Sequence, residues 1–318
     1  MKKTAQKNDT FDFEEFRQGL KLKHLQTKAD FTNKYKTANK ALASRGMDIS
    51  KLREHSTRLL TTGAMAGALL LAPVDTTKLL PPAGDIIHNI NNDNNIPVKS
   101  PAIVLREALK QILPDQIRPL SRDEEKTLEQ VIKETTGIPA KASLEGEHLN
   151  TTYGKIGAEQ HLRRYPGDTN ENHAPEPEDY GGDDPSEILK EGMAPGLGAW
   201  GYFAPNKESL SPDLVETEKW YAVVQTLYLP DWNTRTKYLR DWYKYRKVII
   251  VNTDNGKAVV AAIADSGPAA WTGKHFGGSP EVMDYLGGSR YKKGPVILFF
   301  VDDPENKIPL GPVEYNNI

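Results

Sequence analysis

An Asp delivered to the end of an apolar run, and held there by a Ser-Gly-Pro turn, is the part of this chain best suited to chemistry. The run is Val259-Val260-Ala261-Ala262-Ile263-Ala264-Asp265-Ser266-Gly267-Pro268. Its β-branched, apolar composition predicts a buried strand, which Gly267-Pro268 stops. The Asp265 carboxylate then stands at a strand end, where it accepts local backbone N–H groups or faces a groove. Downstream lies His275, a side chain able to act as an acid near neutral pH. Asp265 and His275 are thus the titratable side chains on either side of this turn. Trp200, Trp271, Lys274 and Tyr291 are the candidates for holding a substrate. The chain has no cysteine, which excludes thiolate nucleophiles, thiolate metal sites and disulfides.

A second concentration of reactive groups falls at residues 144–168 and just beyond. His148, His161 and His173 are accompanied there by Glu145, Glu147 and Glu159. Such a set contains zinc-type ligands, but its spacing matches no ligand motif of the H-E-x-x-H kind. The expectation is that no metal and no cofactor is bound. The segment, with Tyr153, Arg163, Arg164 and Tyr165, is expected to pack on a neighbouring barrel and to line one rim of the Asp265 groove.

The elements that must position these residues change character along the chain. From Gly196 onward there are short β-runs at 198–203, 220–229, 247–252, 257–264 and 296–301. Asp254-Asn255-Gly256 is a hairpin signal between two of them. Ser279 reads as an N-cap, with Pro280 at the first helical position and Val282, Met283 and Leu286 as a packing face. Glu281 and Asp284 are expected on the solvated side of that helix. One helix among many short strands predicts a compact β-barrel over 196–318. Upstream, 101–135 reads as two helices separated by Pro114 and Pro119, the second opened by a Ser121–Glu124 capping box. Residues 75–100 and 168–195 read as polar, turn-rich linkers, and 101–167 as a helical or irregular region. The fold class is α+β.

The N-terminal quarter differs again. Residues 1–58 hold 14 Lys/Arg against 7 Asp/Glu, in a chain whose net charge is only −2. Phe11 to Leu42 recur at helical spacing beside this charge, as in a basic helix next to an anionic membrane leaflet. Leu59 to Val74 then carries no charge. Basic residues before it and acidic ones after it match the positive-inside pattern of an anchor or export signal. At 16 residues it is shorter than the ~20 of a comfortable span. The expectation is a membrane-anchored chain with an extracytoplasmic C-terminal domain, or a secreted one. No motif supports a nucleic-acid partner.

The order of motifs from Val248-Ile249-Ile250-Val251-Asn252 through Asn255-Gly256-Lys257, Asp265-Ser266-Gly267-Pro268 and Gly273-Lys274 to Ser279 resembles the rare lipoprotein A family, relatives of expansins and some lytic transglycosylases. Gly198-Ala199-Trp200-Gly201-Tyr202-Phe203 is similar to that family's aromatic-glycine first strand. The resemblance implies a six-stranded double-psi β-barrel that engages peptidoglycan glycan strands, with Asp265 matching the family's first acid. Its second acid falls at Gly277, with Gly278 replacing a Leu and Ser279 retained. Glycosidic cleavage needs a proton donor beside the leaving oxygen, and glycine has none. Binding without cutting is the reading this deficit favours. The alternatives are a lytic transglycosylase using Asp265, with His275 in place of the missing acid, and a soluble protein-interaction module in which 59–74 is a buried helix.

Overall fold

Val248 and Ile250 face one side of their strand, Ile249 and Val251 the other, and all four are fully buried. Successive strand residues point to opposite faces, so this strand is covered on both. The same holds for the run from Val259 to Ala264, which is why it does not alternate polar with apolar.

The computed structural model describes residues 80–93, 100–174 and 186–315. These belong to the second of two units, 1–78 and 79–318. The expected basic helix and the apolar segment 59–74 lie outside the described residues. Among the described residues no helix is long and apolar enough to cross a membrane.

In chain order the strands are β1 (Ala140–Lys141), β2 (Ser143–Leu144), β3 (Glu147–His148), β4 (Tyr153–Ala158), β5 (Tyr221–Val224), β6 (Lys247–Asn252), β7 (Ala258–Ser266), β8 (Phe276–Gly278), β9 (Lys293–Val301) and β10 (Gly311–Pro312). Six of them close a ring in the order β4, β8, β5, β7, β6, β9 and back to β4. The pairs β4–β8 and β5–β7 are parallel and the other four antiparallel, so the barrel is mixed. The long strands serve two neighbours each: β7 pairs β6 through its first half and β5 through its second. Ile156, Val248, Ile250, Val259, Ala261, Ile263, Phe276, Leu298 and Phe300 belong to one buried cluster, joined by Val282, Met283 and Leu286.

The helices are α1 (Ala83–Asn92), α2 (Pro101–Ile112), α3 (Arg122–Thr136), α4 (Ser186–Leu189), α5 (Pro212–Lys219), α6 (Trp232–Tyr243) and α7 (Pro280–Gly287). The first three pack through Ile86, Leu105, Leu109 and Leu128 against Ile249, Val251, Val260, Ile297 and Phe299. Each such side chain, fully buried, contributes about 1.5–3 kcal/mol. The Ser121–Glu124 capping box is present in both directions, at 3.3 Å and 2.7 Å. The hairpin turn between β6 and β7 forms as expected, and Asn252 and Asn255 donate to the Leu286 carbonyl at 3.0 and 2.8 Å. Both asparagines thereby satisfy the end of α7.

Three expectations change. The barrel begins well before residue 196, because β4 supplies one of its six strands. The segment around 153–158 is thus part of the wall rather than something packed against it. Gly198–Phe203 is a set of turns, with the Gly201 N–H donating to Gly198 O at 2.9 Å, and not a first strand. The span 75–100 contains α1, whose Ile86, Ile87 and Ile90 make a helical stripe that the surrounding Asn and Pro residues mask in composition.

Candidate functional site

Strand β7 ends where its sequence predicts, and Asp265 sits half-buried at that end. Its Oδ1 accepts two backbone N–H groups, from Ala199 and Ser266, both at 2.7 Å. The Gly198–Trp200 turn is therefore fastened to the carboxylate. Burial pushes the Asp265 carboxyl above the usual range, and these two N–H groups only partly oppose it. Gly267-Pro268 is a cis peptide. Gln225 Nε2 donates to the carbonyls of Pro268 and Lys274 at 3.0 and 3.3 Å, tying together the two ends of the following loop.

The strand register explains Gly277. Gly157 of β4 pairs with Gly277 of β8, Gly277 with Val223 of β5, and Val223 with Asp265 of β7. A row of two glycines and a valine thus leads across the wall to the acid. A Cβ on Gly277 would lie 2.5 Å from Glu159 Cγ and 2.6 Å from its Oε1. The space a side chain at 277 would occupy is filled by the Glu159 side chain. At Gly157 a Cβ would run into the Lys274 side chain. The two glycines leave room for Glu159 and Lys274, which pair at 3.1 Å, while Lys274 Nζ also donates to Ala158 O at 2.8 Å. Burial raises the Glu159 carboxyl, Lys274 lowers it, and Asp265 raises it again, with a net rise. Glu159 and Asp265 therefore share one electrostatic neighbourhood.

Position 277 carries no acid of its own, as the sequence has it. The backbone position is glycine, but a carboxylate reaches its space from the end of β4. Glu159 stood in the sequence as one of several acids among histidines. The only signal for its true place was the pairing of Gly157 with Gly277, which becomes visible once β4 and β8 are known to be neighbours.

The remaining candidates are distributed as follows. His275 immediately precedes β8; its Nδ1 accepts the Lys155 backbone N–H at 3.1 Å and its backbone N–H donates to Lys155 O at 2.8 Å. Burial, then Lys155 and Lys293, push its pKa down. A histidine kept neutral and committed to a strand edge is poorly suited to donate a proton. Among the described residues no hydrogen bond or ion pair joins it to Asp265. Trp271 is 87% exposed on the turn Ala270–Thr272. Trp200 is partly buried, its Nε1 donating to Arg240 O at 2.8 Å, and it is adjacent in chain to the Ala199 N–H that serves Asp265. The Tyr291 ring lies against Gly287 and Gly294 with its hydroxyl buried and unpartnered, and burial pushes that hydroxyl up to about 12. A cavity of about 180 Å³ lies elsewhere, lined by Glu145, Tyr245, Arg246, Lys247 and Asp303.

Most of the His and Glu residues around 144–173 turn out to be structural partners. His148 meets Glu125 at 3.0 Å, Glu145 binds Arg246 and the Trp242 indole, and Glu147 binds Arg235. His161 and His173 do converge, together with Glu218 from α5, which sequence spacing did not bring into the set. Glu281, expected to be solvated, is buried; that burial pushes it up to about 8.

Compared with protein-family models, curated proteins and solved structures, the chain matches none of them.

Proposed function

We propose that the barrel engages peptidoglycan glycan strands in the cell envelope along the row Gly157–Gly277–Val223–Asp265, where Asp265 transfers the proton and Glu159 stabilises the charge that develops. The observation that carries the chemical part is the Glu159 side chain over Gly277, coupled to Asp265, both carboxyls raised by burial. The substrate class rests on the motif resemblance. A closed ring with two parallel pairs, β4–β8 and β5–β7, is compatible with the double-psi arrangement that the resemblance implies.

Asp265 has no cation among the groups that act on it and keeps its proton to higher pH, so it is the donor to the leaving glycosidic oxygen. As that bond breaks, the sugar's own C6 hydroxyl closes on C1, and its proton passes back to the Asp265 carboxylate. Glu159, paired with Lys274, is the carboxylate placed to stabilise positive charge developing at C1. Trp271, almost fully exposed after the Asp-Ser-Gly-Pro turn, offers a face for a sugar ring.

Incubating the full chain with purified peptidoglycan and analysing soluble products by mass spectrometry tests this. Anhydro-muropeptides are expected, with Asp265→Asn lowering their rate by roughly 10²–10⁴-fold and Glu159→Gln lowering it less. A second reading, binding without cleavage, is favoured by the Lys274–Glu159 ion pair, which holds the second carboxylate in place. It gives a chain that pellets with the polymer and releases nothing. A chain that neither pellets nor releases products overturns both.

A further inference from the structure

We propose that His161, His173 and Glu218 form a buried binding site for a divalent transition-metal ion, and that zinc is the ion they suit. The three residues come from two elements distant in sequence, the segment after β4 and helix α5, and their donor atoms lie within 4.8 Å of one another. All three are sealed from solvent, at 0%, 6% and 2% exposure for His161, His173 and Glu218.

His161 points most directly to a ligand. Both of its ring nitrogens are buried without a hydrogen-bond partner. Its Nδ1 stands 3.6 Å from Glu218 Oε1, too far for a hydrogen bond and facing a carboxylate. Its ring centroid is 4.5 Å from that of His173. Buried polar atoms left unpaired cost roughly 1–3 kcal/mol each, and a cation between the rings and the carboxylate would satisfy this one. Bonds of about 2.0–2.2 Å from such donors are what zinc requires, so His161 would close inward while the His173–Glu218 pair, 2.9 Å apart, opens slightly around the ion.

His173 is already oriented as a ligand. Its Nε2 lies 2.9 Å from Asp168 Oδ2, and its Nδ1 2.9 Å from Glu218 Oε2. Asp168 is itself fixed by Arg164, through Nε and the backbone N–H, each at 3.0 Å. A carboxylate that holds one imidazole N–H and turns the other nitrogen toward the metal is the usual outer support of zinc-bound histidine. On loading, the proton on Nδ1 between His173 and Glu218 leaves to solvent and the ion takes its place. Two imidazoles with a carboxylate and no thiolate favour zinc over the oxygen-seeking calcium and magnesium. Glu281 on α7, its Oε2 also buried and unpartnered, is a further oxygen donor in the same neighbourhood, acting electrostatically on His161 and Glu218. A bound ion would clamp the segment that carries Glu159 to α5, and this site stands independently of the glycan reading.

The full chain, stripped with chelator and then exposed to zinc, tests this. After desalting, elemental analysis is expected to find a single zinc per chain, with a raised Tm. His161→Gln and His173→Gln, shown folded by circular dichroism, are expected to lose both effects. His148→Gln, whose ring pairs with Glu125 outside the set, keeps them. Folded wild-type protein that takes up no zinc overturns the proposal and leaves a cluster bridged by water. Zinc retained undiminished in both folded site variants also overturns it. Should those variants fail to fold, cobalt added to the wild type decides: an intense visible band of a four- or five-coordinate ion supports the site, and a weak octahedral spectrum overturns it.

Discussion

Asp265 and Glu159 are half-buried beside a row of glycines, whereas Asp168 and Glu218 are sealed among Arg164, His161 and His173. Burial opposes charge in all four, yet the first pair is raised and the second lowered. Partners make the difference. Asp265 receives two backbone N–H groups and no cation, and Glu159 a single lysine. Asp168 receives the Arg164 side chain and backbone as well as His173, and Glu218 faces His161 and His173 and receives the Leu162 N–H. Burial therefore does not by itself decide whether a carboxyl is raised or lowered; the partners it is given do.

The largest expected effect is on the sealed side. Asp168→Ala strips Arg164 and His173 of their shared carboxylate and leaves buried charge uncompensated. Urea unfolding should show a loss of about 3–5 kcal/mol. Asp265→Ala removes an acceptor from two backbone N–H groups nearer solvent and should cost about 1–3 kcal/mol. Equal losses would break the contrast between the two clusters.

Next comes the glycine row. Gly277→Ala places a Cβ 2.5 Å from Glu159 Cγ. Glu159 or the strand must move, at about 1–3 kcal/mol by the usual cost of overpacking. Shortening the obstructing side chain should relieve it, so Glu159→Ala combined with Gly277→Ala should recover most of the loss in a double-mutant cycle. Additive losses would show that Glu159 does not fill the Gly277 space.

How much of this was legible in the sequence follows the range of the interactions involved. The hairpin at Asp254–Gly256, the Ser279 and Ser121 caps and the strand carrying Asp265 are set by neighbours in the chain, and they read correctly. A barrel of short strands could be anticipated from their number and spacing. What could not is pairing between distant segments. Strand β4 is hard to read because Tyr-Gly-Lys-Ile-Gly-Ala has two glycines and no alternation; Gly154 makes room for His275, and Gly157, paired with Gly277, for Lys274. Glu218 joined the histidines only through the packing of α5. Glu281 stands in the first turn of a helix, where acids are favoured at the surface, but it is buried in the neighbourhood of His161, Glu218 and Lys219, which no local pattern shows.

The pH dependence sharpens the comparison further. Asp265, Glu159 and Glu281 are all raised in the folded chain, the last to about 8 from 4.5. A raised acid binds more protons folded than unfolded, so its contribution is complete below the unfolded pKa and is lost as pH rises through the folded one. In chelator-treated protein, stability should fall between pH 4.5 and about 8 through Glu281, by at most about 1.4 kcal/mol per pH unit. Glu281→Gln should flatten that decline and be more stable than wild type at the alkaline end. The lowered Asp168 and Glu218 act oppositely, losing their contribution only as pH falls below the ordinary carboxylate range.

Trp271→Ala is expected to have the smallest effect, and it isolates the exposed side of the comparison. The indole is 87% exposed and belongs to no buried cluster among the described residues, so its removal should change stability by no more than about 0.5 kcal/mol. If it provides a face for a sugar ring, polymer binding should weaken roughly 2- to 10-fold, the equivalent of the ~0.5–1.5 kcal/mol typical of one ring contact. Trp200 supplies the internal control, since its indole N–H is engaged by Arg240 O and its ring packs on the barrel interior. Trp200→Ala should therefore lower Tm as well as binding, because it loosens the turn whose Ala199 N–H holds Asp265. A Trp271 variant that binds the polymer as wild type does, beside a weakened Trp200 variant, would move the contact surface from the exposed turn to the Asp265 side of the row.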